Sequence, residues 1–130
     1  MLEIIALKAF KDNYIWTLRD ERHAAVVDPG DAGPVIEYLD AERLTLAAIL
    51  LTHHHPDHVG GVPELLRRAP APVYGPRNEP IATLSHPVAE GERLSIAEPG
   101  VDLAVLDIPG YTRAHIAYYC AISGAASLFR

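Results

Sequence analysis

Cysteine is scarce in this chain, and its scarcity excludes a disulfide-stabilised fold. Cys120 is the single cysteine among the 130 residues, so no disulfide can form within the chain. Disulfide frameworks are typical of secreted proteins, whereas lone thiols are usual in reducing compartments. The first residues carry an acid, Glu3, and lack the basic-then-apolar order of a secretory signal peptide. We therefore expect a cytoplasmic protein.

Long apolar runs and a surplus of basic residues are also missing. No apolar stretch approaches the ~20 residues that a membrane helix needs. Eleven Lys and Arg stand against 17 Asp and Glu, which gives a formal net charge of −6 and little positive surface for phosphate backbones. We expect neither membrane nor nucleic-acid binding. The 49% hydrophobic and 22% charged content instead predicts one globular domain over residues 1–130.

Short apolar segments separated by Gly, Pro and Asp indicate an α/β fold with helices on a predominantly β core. Pro34–Leu39 and Pro63–Ala69 are predicted helices, and Asp31 is a plausible cap for the first. Leu46–Leu51 is continuously apolar, as expected for a strand buried on both faces. The predicted strands are Leu2–Leu7, Tyr14–Leu18, Ala24–Val27, Leu46–Leu51, Val73–Tyr74, Arg93–Ile96, Val101–Ile108 and Ile116–Cys120.

A cluster of histidines follows the buried strand at the sheet edge where α/β proteins bind ligands. Its sequence is Thr52-His53-His54-His55-Pro56-Asp57-His58. Side chains alternate in an extended segment, so His53 and His55 project to the same side and can share a metal ion, while His54 points away. Imidazole and carboxylate groups together suit zinc, iron or manganese, and an open position suits hydrolysis. A solvated polar loop or an adventitious metal-binding tract is the alternative.

Two histidines do not hold a catalytic metal ion alone, so a distant ligand is required. His115 is the best candidate, because it lies between a Pro-Gly turn and the apolar run Ile116–Tyr119. A half-buried strand histidine without a metal role is the alternative for this residue. His23 and His86 lie in polar turn contexts, and we expect both at the surface.

These segments resemble the metallo-β-lactamase superfamily, whose signature is His-x-His-x-Asp-His, and within it the hydroxyacylglutathione hydrolases (glyoxalase II). The matching segments run in family order over nearly the whole chain. They are Asp12-Asn13-Tyr14, Val27-Asp28-Pro29-Gly30, Ile49 to Gly61, Val73-Tyr74-Gly75-Pro76, Pro109-Gly110 and His115-Ile116-Ala117-Tyr118-Tyr119. The resemblance implies an αββα sandwich, of which this chain would form the N-terminal part.

The resemblance also implies a site with up to two metal ions, zinc before iron or manganese. The first ion would be bound by His53, His55 and His115. Asp57 and His58 would contribute to the second and are the predicted catalytic residues. Asp28 would hold a ligand histidine in the correct tautomer. The implied reaction converts S-D-lactoylglutathione and water to glutathione and D-lactate, by attack of metal-bound hydroxide on the thioester. A small glutathione thioester is thus the expected partner.

The chain departs from the family pattern at two places. Tyr111 and Ala114 stand where the family has a histidine and a glycine. The family also continues beyond the position of Arg130 with an aspartate that bridges the metals, a further histidine and a glutathione-binding part. The chain is therefore expected to be an N-terminal fragment or a truncated homologue, with exposed apolar core surface through which it could self-associate.

Two other functions are compatible with these residues. One is another hydrolase on the same fold, such as a lactonase. The other is a non-catalytic metal-binding module on a decayed hydrolase fold, which the departures at Tyr111 and Ala114 would favour.

Overall fold

Strands dominate the computed structural model, which describes residues 2–10, 13–108, 115–122 and 125–129. The strands of a six-stranded sheet are β1 (Glu3–Ala9), β2 (Asn13–Arg19), β3 (His23–Val27), β4 (Thr45–Leu50), β5 (Val73–Pro76) and β6 (His86–Val88). Those of a four-stranded sheet are β7 (Arg93–Ile96), β8 (Val101–Asp107), β9 (Ile116–Ile122) and β10 (Ala125–Phe129). The helices are α1 (Ala32–Glu42), α2 (Pro56–Val59) and α3 (Val62–Arg68).

The first sheet runs in the order β1-β2-β3-β4-β5-β6 and changes from antiparallel to parallel pairing at β3. Helix α1 joins β3 to β4, and α2 and α3 join β4 to β5, which are the crossovers that parallel neighbours require. Val27 at the end of β3 pairs with Leu50 at the end of β4. The segments that follow these two strands therefore leave the sheet side by side.

Strand β4 is buried on both faces, which confirms the prediction from its apolar run. Ala48 and Leu50 pack into the core between the two sheets, and Leu46 and Ile49 pack into the core beneath α1 and α3. A strand enclosed on both sides cannot shift without moving two cores. It is thus a rigid support for the residues attached to its end.

The second sheet has the order β10-β9-β8-β7 and is entirely antiparallel. On β8, Val101, Leu103 and Val105 are buried against the first sheet, as their alternation predicts. The opposite face carries Leu106, Tyr119 and Leu128, which are 38%, 41% and 48% exposed. The described layers are therefore helix, sheet and sheet, which confirms the expected α/β sandwich and its uncovered apolar surface.

The predicted elements differ from the observed ones mainly at their ends. Helix α1 is longer than Pro34–Leu39, because the side chain of Asp31 accepts a hydrogen bond from the Gly33 amide and caps it. Strand β6 and the single-turn helix α2 were not predicted. Each has at most four residues and contains a proline, so neither shows a clear periodic pattern.

Tyr111 and Ala114 lie outside the described residues, so the effect of these two departures from the family pattern stays a prediction. His86 is exposed as predicted, whereas His23 is partly buried, since it begins β3 and its Nε2 lies 2.7 Å from Glu98 Oε2. None of the helices in the described ranges is long and apolar enough to cross a bilayer.

Candidate metal centre

The candidate site lies where the ends of β3 and β4 meet the start of β9. The amide of Ile116 donates to the carbonyl oxygen of Thr52 at 3.0 Å. The buried hydroxyl of Tyr118 donates to the carbonyl oxygen of Leu51 at 2.7 Å. These two bonds join the second sheet to the first, and they bring His115 beside the histidine cluster despite its distance in sequence.

His53 is at the centre of a group of four imidazole rings. The centroid of its ring lies 4.6 Å from that of His55, 4.1 Å from that of His58 and 4.3 Å from that of His115. His53 and His115 are 4% and 5% exposed. Four imidazole rings are therefore packed closely together at one sheet edge.

Alternation along the segment predicts that His54 points away from this group; in the structure it pairs with Glu79, and its ring centroid lies 5.2 Å from that of His55. Nδ1 of His54 lies 2.8 Å from Oε1 of Glu79, and the same carboxylate oxygen accepts the His54 amide at 3.2 Å. Glu79 thereby anchors the middle of the histidine segment.

Asp28 holds two parts of the site together through its carboxylate. Its Oδ1 accepts the Thr52 amide at 2.8 Å, and its Oδ2 accepts the Thr52 hydroxyl at 2.6 Å. The same Oδ2 lies 3.0 Å from Nδ1 of His58. Asp28 has a left-handed backbone, with φ of 52°, a conformation that is uncommon outside glycine and asparagine-like residues. This turn aims the carboxylate from β3 across to the end of β4.

Asp57 occupies the more exposed side of the site. Asn13, at the start of β2, donates its side-chain amide to Asp57 Oδ2 at 3.0 Å. Nε2 of His58 lies 3.5 Å from the same oxygen. The hydrogen bond from the Asn13 side chain lowers the pKa of Asp57, and the charge of His58 lowers it further. The Asp57 carboxylate is therefore ionised near neutral pH.

The two most buried histidines favour the neutral form. Burial, reinforced by the neighbouring His58, lowers the pKa of His53 from its ordinary 6.5 to about 4. Burial also lowers the pKa of His115. Neutral imidazole is the form that binds metal ions, so both rings are ready to act as ligands at neutral pH.

His58 has the opposite electrostatic balance. Burial alone would lower its pKa, but the hydrogen bond and the charge of Asp28, helped by the charge of Asp57, outweigh burial and raise it. Its two acidic neighbours therefore favour the protonated form of this ring.

Three glycines allow the two loops of the site to touch through their backbones. A Cβ on Gly30 would lie 1.9 Å from the carbonyl oxygen of Asp57. A Cβ on Gly60 would lie 2.9 Å from the carbonyl oxygen of Gly30, and one on Gly61 2.5 Å from that of Pro29. Because no side chain fits at these points, the loop that carries Asp28 packs directly on the turn that carries Asp57 and His58.

The structure brings all the sequence-predicted site residues into one region: Asp28, His53, His55, Asp57, His58 and His115. Among the described residues, single ligand atoms of Asp28, His53 and His58 all lie within 4.8 Å of one another. Imidazole nitrogens and carboxylate oxygens are donors that transition metals and zinc accept. The donor set therefore fits a metal ion.

Three contributors were missed by the sequence prediction: Asn13, Thr52 and Glu79. Their contacts span 44, 24 and 25 residues of sequence, and no local pattern encodes such pairings. Asn13 and Thr52 lie within segments that resemble the family, and this resemblance was the only feature of the sequence that could have indicated a role in the site for either residue.

The sequence pattern of the Metallo-beta-lactamase superfamily matches residues 11–126. A hydroxyacylglutathione hydrolase of Methylobacillus flagellatus is 55% identical over 119 residues, which cover 92% of this chain and 48% of that protein. One from Hahella chejuensis is 48% identical over 130 residues, which cover 99% and 50%. The chain thus spans about half the length of the curated relatives it matches.

Solved structures agree with the sequence comparison. The crystal structure of the BLEG-1 B3 metallo-beta-lactamase superimposes with a TM-score of 0.73 at 28% identity, covering 92% of this chain and 67% of that one. The crystal structure of ETHE1 from Myxococcus xanthus superimposes with a TM-score of 0.75 at 26% identity, covering 92% and 53%.

Proposed function

Because the chain belongs to the metallo-β-lactamase superfamily, we propose that its histidine cluster is the metal centre of a thioester hydrolase of the hydroxyacylglutathione hydrolase kind. The substrate would be S-D-lactoylglutathione, and the products glutathione and D-lactate. The observation that carries this proposal is the convergence of His53, His55, His58 and His115 at one sheet edge. Relatives that are 55% and 48% identical to this chain over 119 residues bear the name of that enzyme.

The proposed ligands divide between two sides of the cluster. His53, His55 and His115 would bind the first ion, since the ring centroids of His55 and His115 lie 4.6 Å and 4.3 Å from that of His53. Asp57 and His58 would contribute to a second, because Nε2 of His58 and Oδ2 of Asp57 lie on the same side, 3.5 Å apart. We assign zinc to the site, because nitrogen-rich sets with an open position are typical of catalytic zinc.

A carboxylate oxygen of Asp28 lies within 4.8 Å of ligand atoms of His53 and His58, but in this proposal Asp28 has an orienting role and no bond to the ion. Both of its carboxylate oxygens are already engaged, one with the Thr52 amide and the other with the Thr52 hydroxyl and His58. A carboxylate that holds Nδ1 of a histidine leaves Nε2 for a metal, which is a common arrangement around bound zinc.

In the proposed reaction, residues of the chain receive the water molecule and keep the metal ligands neutral. A bound ion would supply the Lewis acidity that activates water and polarises the thioester carbonyl. The ionised Asp57, held by Asn13, lies on the exposed side of the cluster, where it can accept a hydrogen bond from an incoming water. Buried His53 and His115 stay neutral and so keep their nitrogens available near pH 7.

A cytoplasmic location is part of the proposal. Cys120 is buried and unpaired, as is usual for proteins of reducing compartments. Fractionation of cells that express the gene would test the assignment, and recovery outside the cytoplasm would contradict it.

Metal analysis paired with a hydrolysis assay tests the function. We expect zinc to co-purify with the 130-residue chain, and zinc content to fall in His53→Ala and His115→Ala. His86→Ala is the matched control, because His86 is exposed and lies on β6. Unchanged zinc content in His53→Ala or His115→Ala would refute the ligand assignment.

Turnover decides between the enzyme and a metal-binding module. Release of free thiol from S-D-lactoylglutathione, lost in His53→Ala and retained in His86→Ala, would support the hydrolase. Zinc bound tightly without turnover would support the non-catalytic module. That outcome would be consistent with the proposed assignment, in which only Asp57 and His58 of the described residues serve the second ion.

A further inference from the structure

The hydroxyl of Thr52 lies between the carboxylate of Asp28 and the ring of His53. From this placement we infer that Thr52 is a positioning residue, whose hydroxyl determines which ring nitrogen of His53 faces the metal ion. The inference rests on the proposed metal centre and adds to it a residue that does not touch the ion.

The direction of the hydrogen bonds follows from the chemistry of the three groups. The Thr52 hydroxyl donates its one proton to Asp28 Oδ2 at 2.6 Å, because a carboxylate can only accept. Toward Nδ1 of His53, 2.8 Å away, the same oxygen can then only accept. Nδ1 of His53 therefore carries the proton, and Nε2 is left with a free lone pair for the ion.

The position of the hydroxyl is set by contacts on both sides of its peptide. Thr52 is fully buried. Its amide donates to Asp28 Oδ1 at 2.8 Å, and its carbonyl accepts from Ile116 at 3.0 Å. The branched Cβ also limits the rotation of the side chain. The hydroxyl thus has a fixed place in the network.

One carboxylate oxygen consequently orients two rings. Asp28 Oδ2 acts directly on Nδ1 of His58 at 3.0 Å and indirectly, through Thr52, on Nδ1 of His53. His53 belongs to the proposed first subsite and His58 to the second. The Asp28–Thr52 pair therefore aligns the Nε2 atoms of one histidine from each subsite.

The protonation site of His53 can be measured on the metal-free chain. Nitrogen-15 NMR distinguishes a protonated ring nitrogen from a bare one, and His53→Ala identifies the His53 signals. We expect the proton on Nδ1 in the wild-type chain and in Thr52→Ser. In Thr52→Val, which keeps the shape but removes the hydroxyl, we expect a substantial population with the proton on Nε2. A wild-type chain with the proton on Nε2 would overturn the inference, whether or not any variant folds.

Zinc affinity supplies the second readout. Competition with a chromophoric chelator should show zinc binding weaker by about 10- to 100-fold in Thr52→Val, the range typical when a group supporting a ligand is lost. Thr52→Ser should remain close to wild type. Thr17→Val is the control, since the Thr17 hydroxyl is also buried but has no hydrogen-bond partner in the described part of the chain.

The two readouts separate a positioning role from a merely structural one. If Thr52→Val is less stable but keeps the wild-type tautomer and zinc affinity, Thr52 is structural and the inference is wrong. Failure of the wild-type chain to bind zinc would refute the proposed metal centre, while the tautomer in the metal-free chain would still decide the role of Thr52.

Discussion

Replacing Gly30 with alanine should separate the two loops of the metal centre. The added Cβ would lie 1.9 Å from the carbonyl oxygen of Asp57 and 2.4 Å from its carbonyl carbon. Both atoms belong to the backbone, so no side-chain rotation relieves the overlap. One loop must move by about 1 Å to restore contact distances. The 3.0 Å contact between Asp28 and His58 would then lengthen beyond hydrogen-bond range.

The expected loss of stability has two parts. Overpacking at a rigid site costs about 1–3 kcal/mol, and loss of a hydrogen bond to a charged group costs a further ~1.5–3 kcal/mol. We expect a decrease of roughly 2.5–6 kcal/mol in the free energy of unfolding, and each kcal/mol corresponds to about 4 °C in Tm for a domain of this size. Because His58 loses its support, zinc affinity should also fall about 10- to 100-fold.

The measurement is urea unfolding followed by circular dichroism, with zinc affinity determined separately. Gly33→Ala is a matched control three residues along the chain. Its Cβ would lie 3.4 Å from the flexible side chain of Asp31, and alanine is favoured over glycine in a helix. We expect that control to stay within about 0.5 kcal/mol of wild type. Wild-type stability and zinc affinity in Gly30→Ala would refute the argument that backbone contact between the loops builds the site.

Three further predictions concern charge, a neighbouring amide and the exposed sheet face. In the presence of a chelator, part of the free energy of unfolding should be lost as the pH drops from 6.5 toward 4. In this range the unfolded chain binds a proton at His53, whereas the folded chain resists that protonation until about pH 4. Urea unfolding across this range should show a smaller decrease in His53→Asn, and an equal decrease would contradict the assignment. Asn13→Ala should raise the pKa of Asp57, visible in a carbon-13 carboxyl titration, and weaken zinc binding by about 0.5–1.5 kcal/mol; an unchanged titration would show that the 3.0 Å contact has no influence. The wild-type chain should self-associate at high concentration through the face that carries Tyr119, and light scattering should find Tyr119→Lys closer to the 14.2 kDa monomer; a monomeric wild type would contradict this.

The fold was largely predictable because its signals are local. The apolar run after Thr45 and the alternation of Val101, Leu103 and Val105 each identify a strand and its buried side without knowledge of any partner. The cap at Asp31 was equally visible, since it acts two residues along the chain. Strand β6 escaped prediction, because three residues that include Pro87 are too few to display a period.

The site was predictable in its residue types but not in its connections. The spacing of His53 and His55 places both on one side of an extended segment, and the sheet edge places them near a cavity. The contacts from Asn13 to Asp57 and from Glu79 to His54 depend on how distant strands are stacked. Sequence spacing alone carries no information on such contacts. The assignment of each histidine to a particular ion remains a prediction.

The hydrogen bond from Ile116 to Thr52 has a thermodynamic consequence. His53 is attached to the first sheet and His115 to the second, and about 60 residues of chain separate them. An ion bound by both would act as a cross-link that closes this loop, and the chain-entropy model assigns about 4 kcal/mol to a link across such a length. The same ion would therefore stabilise the contact between the two sheets as well as take part in the reaction. Its removal would loosen the sandwich at the point where the substrate is expected to bind.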